Sequence, residues 1–120
     1  MQYQGTGEYF LVFNELVKAA QHRGTVTYQE LAHLIGLPII GDHMANELGQ
    51  CLGAISRAQN DSRRPMLTAV AVTVNGLPGD GFFKLAKELN KYSGSEDREQ
   101  RRVFWESEVR LVYDLWQRKF

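Results

Sequence analysis

Residues 24–36, GTVTYQELAHLIG, contain a short helix with a recognisable start and end. Thr27 and Glu30 have the spacing of a capping box, in which each side chain accepts a hydrogen bond from the backbone N–H of the other residue. Gly36 and Pro38 form a stop signal after the last apolar position. Because so short a helix is unstable alone, we expect it to pack against neighbouring helices.

Two longer helices flank this segment. Apolar residues at i, i+3 and i+7 spacing predict a first helix over about 8–22. A third helix is predicted to begin at Asp42, because an aspartate stabilises a helix N-terminus as a cap and as a negative charge. One side of that helix is apolar and comprises Met44, Leu48, Cys51, Leu52 and Ile55. The opposite side is hydrophilic and comprises His43, Asn46, Glu47, Gln50 and Arg57.

The second half of the chain adds a strand, a turn and a short helix. Residues 59–65 are polar and end in proline, which predicts a loop. Residues 66–74 are rich in β-branched residues and mostly apolar on both faces, so they predict a strand covered on both sides. Glycines and a proline at 75–81 predict a turn or wing, and the apolar spacing of 82–90 predicts a short helix.

The C-terminal part, about 95–118, is predicted to be a long amphipathic helix. We expect regular helix over about 96–116, with Ser95 as its N-cap. Its polar side begins with residues 96–102, EDREQRR, whose alternating charge is typical of a solvated face. Three aromatic residues of this helix have two possible roles: they pack in the core, or they form an interface with a second copy or another partner. They are Phe104, Trp105 and Trp116.

These elements predict a single domain over residues 1–120, of the α+β class and mostly α. Three helices followed by a strand and a glycine-rich turn have the element order of a winged helix-turn-helix. We therefore expect a winged-helix-like core over about 8–90, with the long C-terminal helix behind it. A chain of 120 residues is long enough to bury such a core.

Composition narrows the class of protein. Apolar residues make up 43% and charged residues 23%, as in soluble globular domains, and no apolar run approaches the roughly 20 residues of a membrane helix. The first residues lack a signal-peptide pattern, and Cys51 is the single cysteine, so we expect a cytoplasmic protein without membrane contact. The net charge is zero, so contacts with phosphates would have to come from a local patch.

Three stretches resemble one family: TYQELAHLIGLP, NELGQCL and RPMLTAVAVTVNGLPGDGF. Together, over roughly residues 10–86, they resemble the DNA-binding domain of O6-alkylguanine-DNA alkyltransferases and of their non-catalytic alkyltransferase-like relatives. Thr27 and Tyr28 match the pair that opens a helix in the family, where the tyrosine presses on the phosphate beside a flipped nucleotide. Gly36 and Pro38 match the exit of that helix.

The match to the recognition helix of the family is partial. Leu48, Gly49 and Leu52 match it, and Cys51 falls on its small alanine. Asn46, a much shorter side chain, stands where the family has the arginine that fills the gap left by a flipped base. The resemblance therefore implies DNA binding and leaves base flipping in question.

The reactive motif of the family is absent. Pro65 matches its proline, but Met66, Leu67 and Thr68 stand where the family has the acceptor cysteine, the activating histidine and an arginine. A thioether has no proton to lose and cannot act as a thiolate nucleophile. Alkyl transfer by that mechanism is excluded, and we do not expect an enzyme.

The sequence favours non-catalytic binding of nucleic acid, DNA above RNA. Amide and imidazole side chains on the third helix would face base edges in the groove, arginines would hold phosphates, and the tyrosine would hold the backbone. The full predicted contact set is Tyr28, His43, Asn46, Gln50, Arg57, Arg63 and Arg64. The alternative is a solvated face on an ordinary core helix, where Asp42 and Glu47 would repel phosphate.

The second functional hypothesis is a protein-interaction module that uses the aromatic C-terminal helix. No cofactor is expected, and no metal site, because His22, His33, His43 and Cys51 lack metal-ligand spacing. Cys51 lies on an apolar stripe, which favours a core position over a nucleophile. The glycine-rich stretch 75–83 lacks the lysine and hydroxyl of a phosphate-binding loop.

Overall fold

The computed structural model describes residues 6–37 and 41–117. Helix α1 spans Gly7–Gln21, close to the predicted 8–22, and Thr6 caps it by accepting a hydrogen bond from Tyr9 N–H at 3.2 Å. Its buried residues, Tyr9, Val12, Leu16 and Ala20, recur three or four residues apart. This spacing buries one stripe of α1 in the core.

The capping box is confirmed. Strand β1 (Val26–Thr27) leads into helix α2 (Tyr28–Leu34). Glu30 N–H donates to Thr27 Oγ1 and Thr27 N–H donates to Glu30 Oε1, both at 3.1 Å. Gly36 follows with φ +77°, a backbone conformation that favours glycine, and ends the helical turn as predicted. Pro38 lies outside the described residues.

Helix α3 spans Gly41–Asp61, so it begins one residue before the predicted Asp42 and runs into the predicted loop 59–65. That loop prediction is wrong for its first three residues because packing overrides their polarity: the Gln59 side chain is 5% exposed. Leu48, Cys51 and Ile55 form the expected buried stripe. The side chains of residues 41–45, including Asp42, His43 and Met44, lie outside the described part of the structure.

The prediction of a long strand over 66–74 is wrong. Leu67–Val70 form a 3₁₀ helix, and only Ala71–Val72 form a strand, β2, which pairs in parallel with β1. Every residue from Met66 to Val72 is buried, with α1, α3 and α5 (Arg98–Trp116) around the segment. A strand has two faces, whereas 3₁₀ turns direct side chains in three directions, which suits a segment covered on several sides.

A tight turn follows β2. Gly76 N–H donates to Thr73 O at 2.9 Å, and Thr73 N–H donates to Leu77 O at 2.8 Å. With Gly76 at φ +83°, this is the pattern of a three-residue hairpin loop closed by a left-handed glycine. The described sheet contains β1 and β2 alone, so the predicted wing consists of this turn without a returning strand.

Two helices complete the fold. Helix α4 spans Asp80–Glu88, close to the predicted 82–90. Helix α5 is capped by Asp97, which accepts from Gln100 N–H at 2.9 Å. The predicted start at residue 96 and the Ser95 cap are therefore wrong by two residues, because Asp97 caps the helix as well as serine would and adds a negative charge that the helix N-terminus favours.

Helix α5 turns its aromatic residues toward the core. Phe104 contacts the rings of Phe82 and Tyr92, with centroids 5.9 and 4.9 Å away, and Trp116 meets Phe13 edge to face at 6.1 Å. Trp105 Nε1–H donates to a carbonyl of the 3₁₀ helix at 2.8 Å. The three aromatic residues therefore pack against the core, which is one of the two roles predicted for them.

The end of α5 is fastened to the turn between α1 and β1. The Tyr113 hydroxyl donates to Gly24 O at 2.8 Å, and Arg23 donates to Asp114 and Gln117 at 3.4 and 3.1 Å. The chain is thus a mostly α member of the α+β class, as predicted. None of the helices in the described ranges is long and apolar enough to cross a membrane.

Candidate nucleic-acid interface

The hydrophilic side of α3 lies at the surface of the protein. Asn46, Gly49 and Gln50 are exposed, and Arg57 follows two turns later on the same side. Helix α5 packs mainly against α1 and the 3₁₀ helix, so it leaves this side of α3 open. The structure therefore brings Asn46, Gln50 and Arg57 of the predicted contact set onto one exposed face.

A pocket of about 360 Å³ opens beside this face, between α3 and α4. Its walls are mainly apolar and combine leucines, an aromatic residue and glycines: Leu48, Gly49, Leu52, Gly53, Gly79, Gly81, Phe82 and Leu85. Polar and charged side chains complete the lining: Tyr28, Arg57, Thr68, Lys84 and Glu88. An apolar cavity with a few polar groups is the usual form of a ligand site.

Tyr28 connects the pocket to the start of α4. Its hydroxyl accepts a hydrogen bond from Gly79 N–H at 2.9 Å, and Gly79 is the N-cap residue of α4. Burial raises the pKa of Tyr28, while the hydrogen bond from Gly79 acts in the opposite direction. The phenol is therefore neutral at physiological pH and keeps its own O–H as a donor.

Arg57 lies at the edge of the pocket and links its two walls. Its Nη2 is 3.4 Å from Glu88 Oε2, so the ion pair joins α3 to α4. The guanidinium is seated on Gly53, where an added Cβ would lie 3.0 Å from Nη1. Both charged side chains are more than half exposed, so the pair is weak and exchangeable.

The other two predicted phosphate ligands lie beyond the end of α3. Arg63 and Arg64 are exposed, and neither lines the pocket. Arg63 has φ +60°, a left-handed conformation uncommon for a non-glycine residue. The Arg64 guanidinium lies over the Trp116 ring, 5.5 Å from its centroid. The described members of the predicted set thus form three groups: Asn46 and Gln50 on the open face of α3, Tyr28 and Arg57 at the pocket, and Arg63 and Arg64 beyond the end of the helix.

Carboxylates near this surface are largely paired or half-buried. Asp80, at the start of α4, lies 2.8 Å from Arg101 of α5. Glu88 is paired with Arg57, and Glu47 is half-buried. Of the two acidic residues that the sequence analysis expected to repel phosphate, Glu47 is half-buried and the Asp42 side chain lies outside the described part of the structure.

The residues at the reactive motif of the family point into the core. Met66 and Leu67 are fully buried, and neither lines the pocket. Thr68 is also buried, and its hydroxyl lies 2.8 Å from that of Ser56 on α3. Of these three residues, Thr68 alone is in the pocket lining, and its hydroxyl is hydrogen-bonded to Ser56.

Cys51 is buried within the core stripe of α3. Burial, with a smaller contribution from the negative charge of Glu8, raises the pKa of the Cys51 thiol to about 11. The thiol is therefore protonated at neutral pH and unreactive. Within the described residues, no three His, Cys, Asp or Glu side chains are grouped as metal ligands would be.

The pocket itself was not predicted from the sequence. Its signal was present in two pairs of glycines, Gly49 with Gly53 on α3 and Gly79 with Gly81 at the start of α4. Glycine leaves open volume where a side chain would fill the space between helices. Such pairs are recognisable only once the helices that carry them are known to face each other.

No protein-family profile, curated protein or solved structure matches this chain.

Proposed function

We propose that this chain binds DNA without covalent chemistry, as an alkyltransferase-like domain of winged-helix type. One observation carries the proposal: the exposed polar face of α3 adjoins an apolar pocket with Tyr28, Arg57 and Lys84 in its lining. A helix face of this kind fits the major groove, and the pocket beside it fits a single nucleobase.

The groove contact is made by two amides. Asn46 and Gln50 are four residues apart on α3, so their side chains are neighbours on one face, and both are exposed. Asn and Gln side chains can form paired hydrogen bonds with adenine in the major groove. Gly49 lies between them and presents no side chain, which allows the helix backbone to approach the bases closely.

The pocket receives a base displaced from the stack. Phe82 and Tyr28 supply aromatic surface, while Leu48, Leu52 and Leu85 supply apolar walls. Base-reading pockets combine such surfaces with a few polar groups. The Tyr28 hydroxyl retains a proton that can be donated to a base edge or a neighbouring phosphate.

Electrostatic contacts with phosphates come from a small set of cations. Arg57 exchanges its exposed bond with Glu88 for a phosphate, and Arg63 and Arg64 contact the backbone further along the duplex. Three such contacts correspond to a slope of about −2.7 in log K against log salt concentration. A shallow slope is consistent with the zero net charge of the chain.

The test is binding of fluorescently labelled duplex DNA, followed by anisotropy between about 50 and 200 mM salt. We expect Asn46→Ala with Gln50→Ala to lower affinity and to flatten preference among duplex sequences, with the salt slope unchanged. Arg63→Ala lowers affinity for all sequences alike and reduces the slope by about one. The control is Arg102→Ala, because Arg102 is an exposed α5 residue already paired with Glu99 and Glu106. Absence of binding at micromolar wild-type protein in low salt would refute the proposal.

A protein partner on α5 is the alternative. Its predicted contacts, Phe104, Trp105 and Trp116, are partly buried against the core of the chain itself. The large apolar side chains that α5 exposes are instead Val103, Leu111 and Leu115. Sedimentation of the purified chain tests whether it forms a homodimer through α5. A monomer at high micromolar concentration would argue against such a homodimer.

A further inference from the structure

The turn at residues 73–77, here called the apolar turn, presents two apolar side chains to solvent. Val74 is 70% exposed and Leu77 is 52% exposed, the former the most exposed large apolar side chain described. The sequence from Ala71 to Gly79 contains no charged residue. The turn therefore exposes two apolar side chains, with the uncharged Asn75 and Gly76 between them, and carries no charge that would repel a polyanion.

The apolar turn has a defined shape. Two backbone hydrogen bonds, of 2.8 and 2.9 Å, close the loop between Thr73 and Leu77, and Asn75 N–H donates to Thr73 Oγ1 at 3.3 Å. Gly76 provides the left-handed backbone conformation that this loop requires. Such a turn holds its tip in place, and insertion into another molecule does not require it to become ordered first.

Both stems of the apolar turn begin at the rim of the pocket. On one side, Val72 pairs with Thr27, the residue that precedes Tyr28. On the other, Leu77 is followed after one residue by Gly79, whose N–H is bound to the Tyr28 hydroxyl. Tyr28 and Gly79 line the pocket and residues 73–77 do not, so the apolar turn extends from the part of the pocket wall that Tyr28 and Gly79 form, while α3 supplies another wall.

The α3 side of the pocket has little with which to fill a gap in a base stack. Asn46 has a short side chain and Gly49 has none, and the proposed binding mode already uses Gln50 for a base edge and Arg57, seated on Gly53, for a phosphate. A base that leaves a duplex vacates its place between two neighbours, and unstacking lowers the stability of the duplex. Proteins that distort DNA commonly fill such steps with apolar wedges.

We propose that the apolar turn is this wedge: Val74 and Leu77 enter the base stack next to the pocket and hold open the step from which a base is displaced. The inference rests on the proposed DNA binding and assigns the gap-filling role to the apolar turn and not to α3. Asp80, the nearest acidic residue after the turn, is paired with Arg101 at 2.8 Å, which reduces its repulsion of phosphates.

The experiment compares two duplexes that differ in one nucleotide. The first is fully paired and contains 2-aminopurine, whose fluorescence rises when it leaves the stack. The second has an abasic site at that position, so its step is already vacant. The variant is Val74→Ser with Leu77→Ser, and the matched control is Leu111→Ser with Leu115→Ser, two exposed leucines of α5.

We expect the wild type and the control to raise the fluorescence of the paired duplex on binding. The turn variant loses that rise and binds the paired duplex about tenfold more weakly, because serine does not replace the stacking of an apolar wedge. Its affinity for the abasic duplex falls much less, since no paired base has to be displaced. Thermal unfolding by circular dichroism verifies that both double variants fold, and Val74→Ala with Leu77→Ala repeats the comparison with apolar side chains.

Two results would overturn the proposal that the apolar turn acts as a wedge. If the turn variant matches the wild type on the paired duplex, the turn does not enter the stack. If it loses equal affinity for both duplexes, the turn is an ordinary contact. In either case the Asn46 and Gln50 variant still reports on the α3 face, so DNA binding stands independently. Absence of binding by the wild type to both duplexes refutes the proposed function itself.

Discussion

Glu108 Oε2 accepts a hydrogen bond from the backbone N–H of Met66 at 2.9 Å, and both residues are buried. The contact joins the middle of α5 to the segment that precedes the 3₁₀ helix. Trp105, one turn earlier on α5, binds the carbonyl of Ala69. Helix α5 thus supplies hydrogen-bond partners for the Met66 N–H and the Ala69 carbonyl, which are not paired with a neighbouring strand.

Removal of the Glu108 carboxylate is expected to destabilise the fold. Glu108→Ala leaves the Met66 N–H without its acceptor in the core, which costs about 1–3 kcal/mol in the free energy of unfolding. Glu108→Gln keeps a side-chain oxygen at the same reach and should lose less. Urea unfolding of the three proteins measures the difference. If Glu108→Gln lowers the free energy of unfolding as much as Glu108→Ala does, the hydrogen bond to Met66 does not account for the loss.

Introducing a cysteine at position 66 is not expected to produce alkyl transfer. Met66 is fully buried and does not line the pocket, so a thiol in Met66→Cys would be neutral and out of reach of a base held there. The measurement is mass spectrometry of Met66→Cys after incubation with DNA that contains an O6-alkylguanine. A mass increase equal to one alkyl group on residue 66 would contradict the buried orientation.

We expect Arg63 to lower the free energy of unfolding and to contribute to DNA binding. Its left-handed backbone conformation, φ +60°, favours glycine, so Arg63→Gly should raise the free energy of unfolding by about 0.5–1 kcal/mol. Arg63→Ala removes the same charge without relieving the backbone. We expect both variants to bind duplex DNA equally weakly, and only the glycine variant to melt at a higher temperature. A glycine variant that is no more stable than the alanine variant would count against backbone strain.

Cys51 is expected to make the fold sensitive to alkali. Burial raises the pKa of its thiol from 9.0 to about 11, so the unfolded chain releases the proton first as the pH rises. This contribution to stability is complete below pH 9 and is lost as the pH rises toward 11. Burial also raises the pKa values of Tyr9 and Tyr113, which act in the same direction.

The measurement is the melting temperature of wild type and Cys51→Ala across that pH range. Cys51→Ala should show a shallower fall than the wild type, whatever its stability at neutral pH. Parallel curves for the two proteins would mean that the thiol does not titrate differently on unfolding.

Local signals in the sequence predicted the helices well. The Thr27–Glu30 capping box and the stop at Gly36 concern residues within one turn of each other, and the structure reproduces both. The segment 66–74 failed because β-branched composition cannot distinguish a strand from a buried 3₁₀ helix. What decides that case is side-chain support from Trp105 and Glu108, which lie about 40 residues away.

The candidate site shows the same division. Asn46 and Gln50 were predicted correctly as an exposed face, because helical periodicity places them opposite the buried Leu48 and Cys51. The pocket required knowledge of which helices meet, since its walls come from α2, α3 and α4 and from the residues between them. The periodicity of apolar residues within one helix does not indicate which other helices it will face.

The attachment of α5 to both the 3₁₀ helix and the turn at Gly24 has a consequence for biosynthesis. A nascent chain on the ribosome would expose Met66 and Ala69 with their polar backbone atoms bound only by water until α5 emerges. We expect Trp105, Glu108 and Tyr113 to make their hydrogen bonds only after α5 has emerged. Stalled chains that end before α5 should accordingly be protease-sensitive along their whole length, and not only at the missing helix.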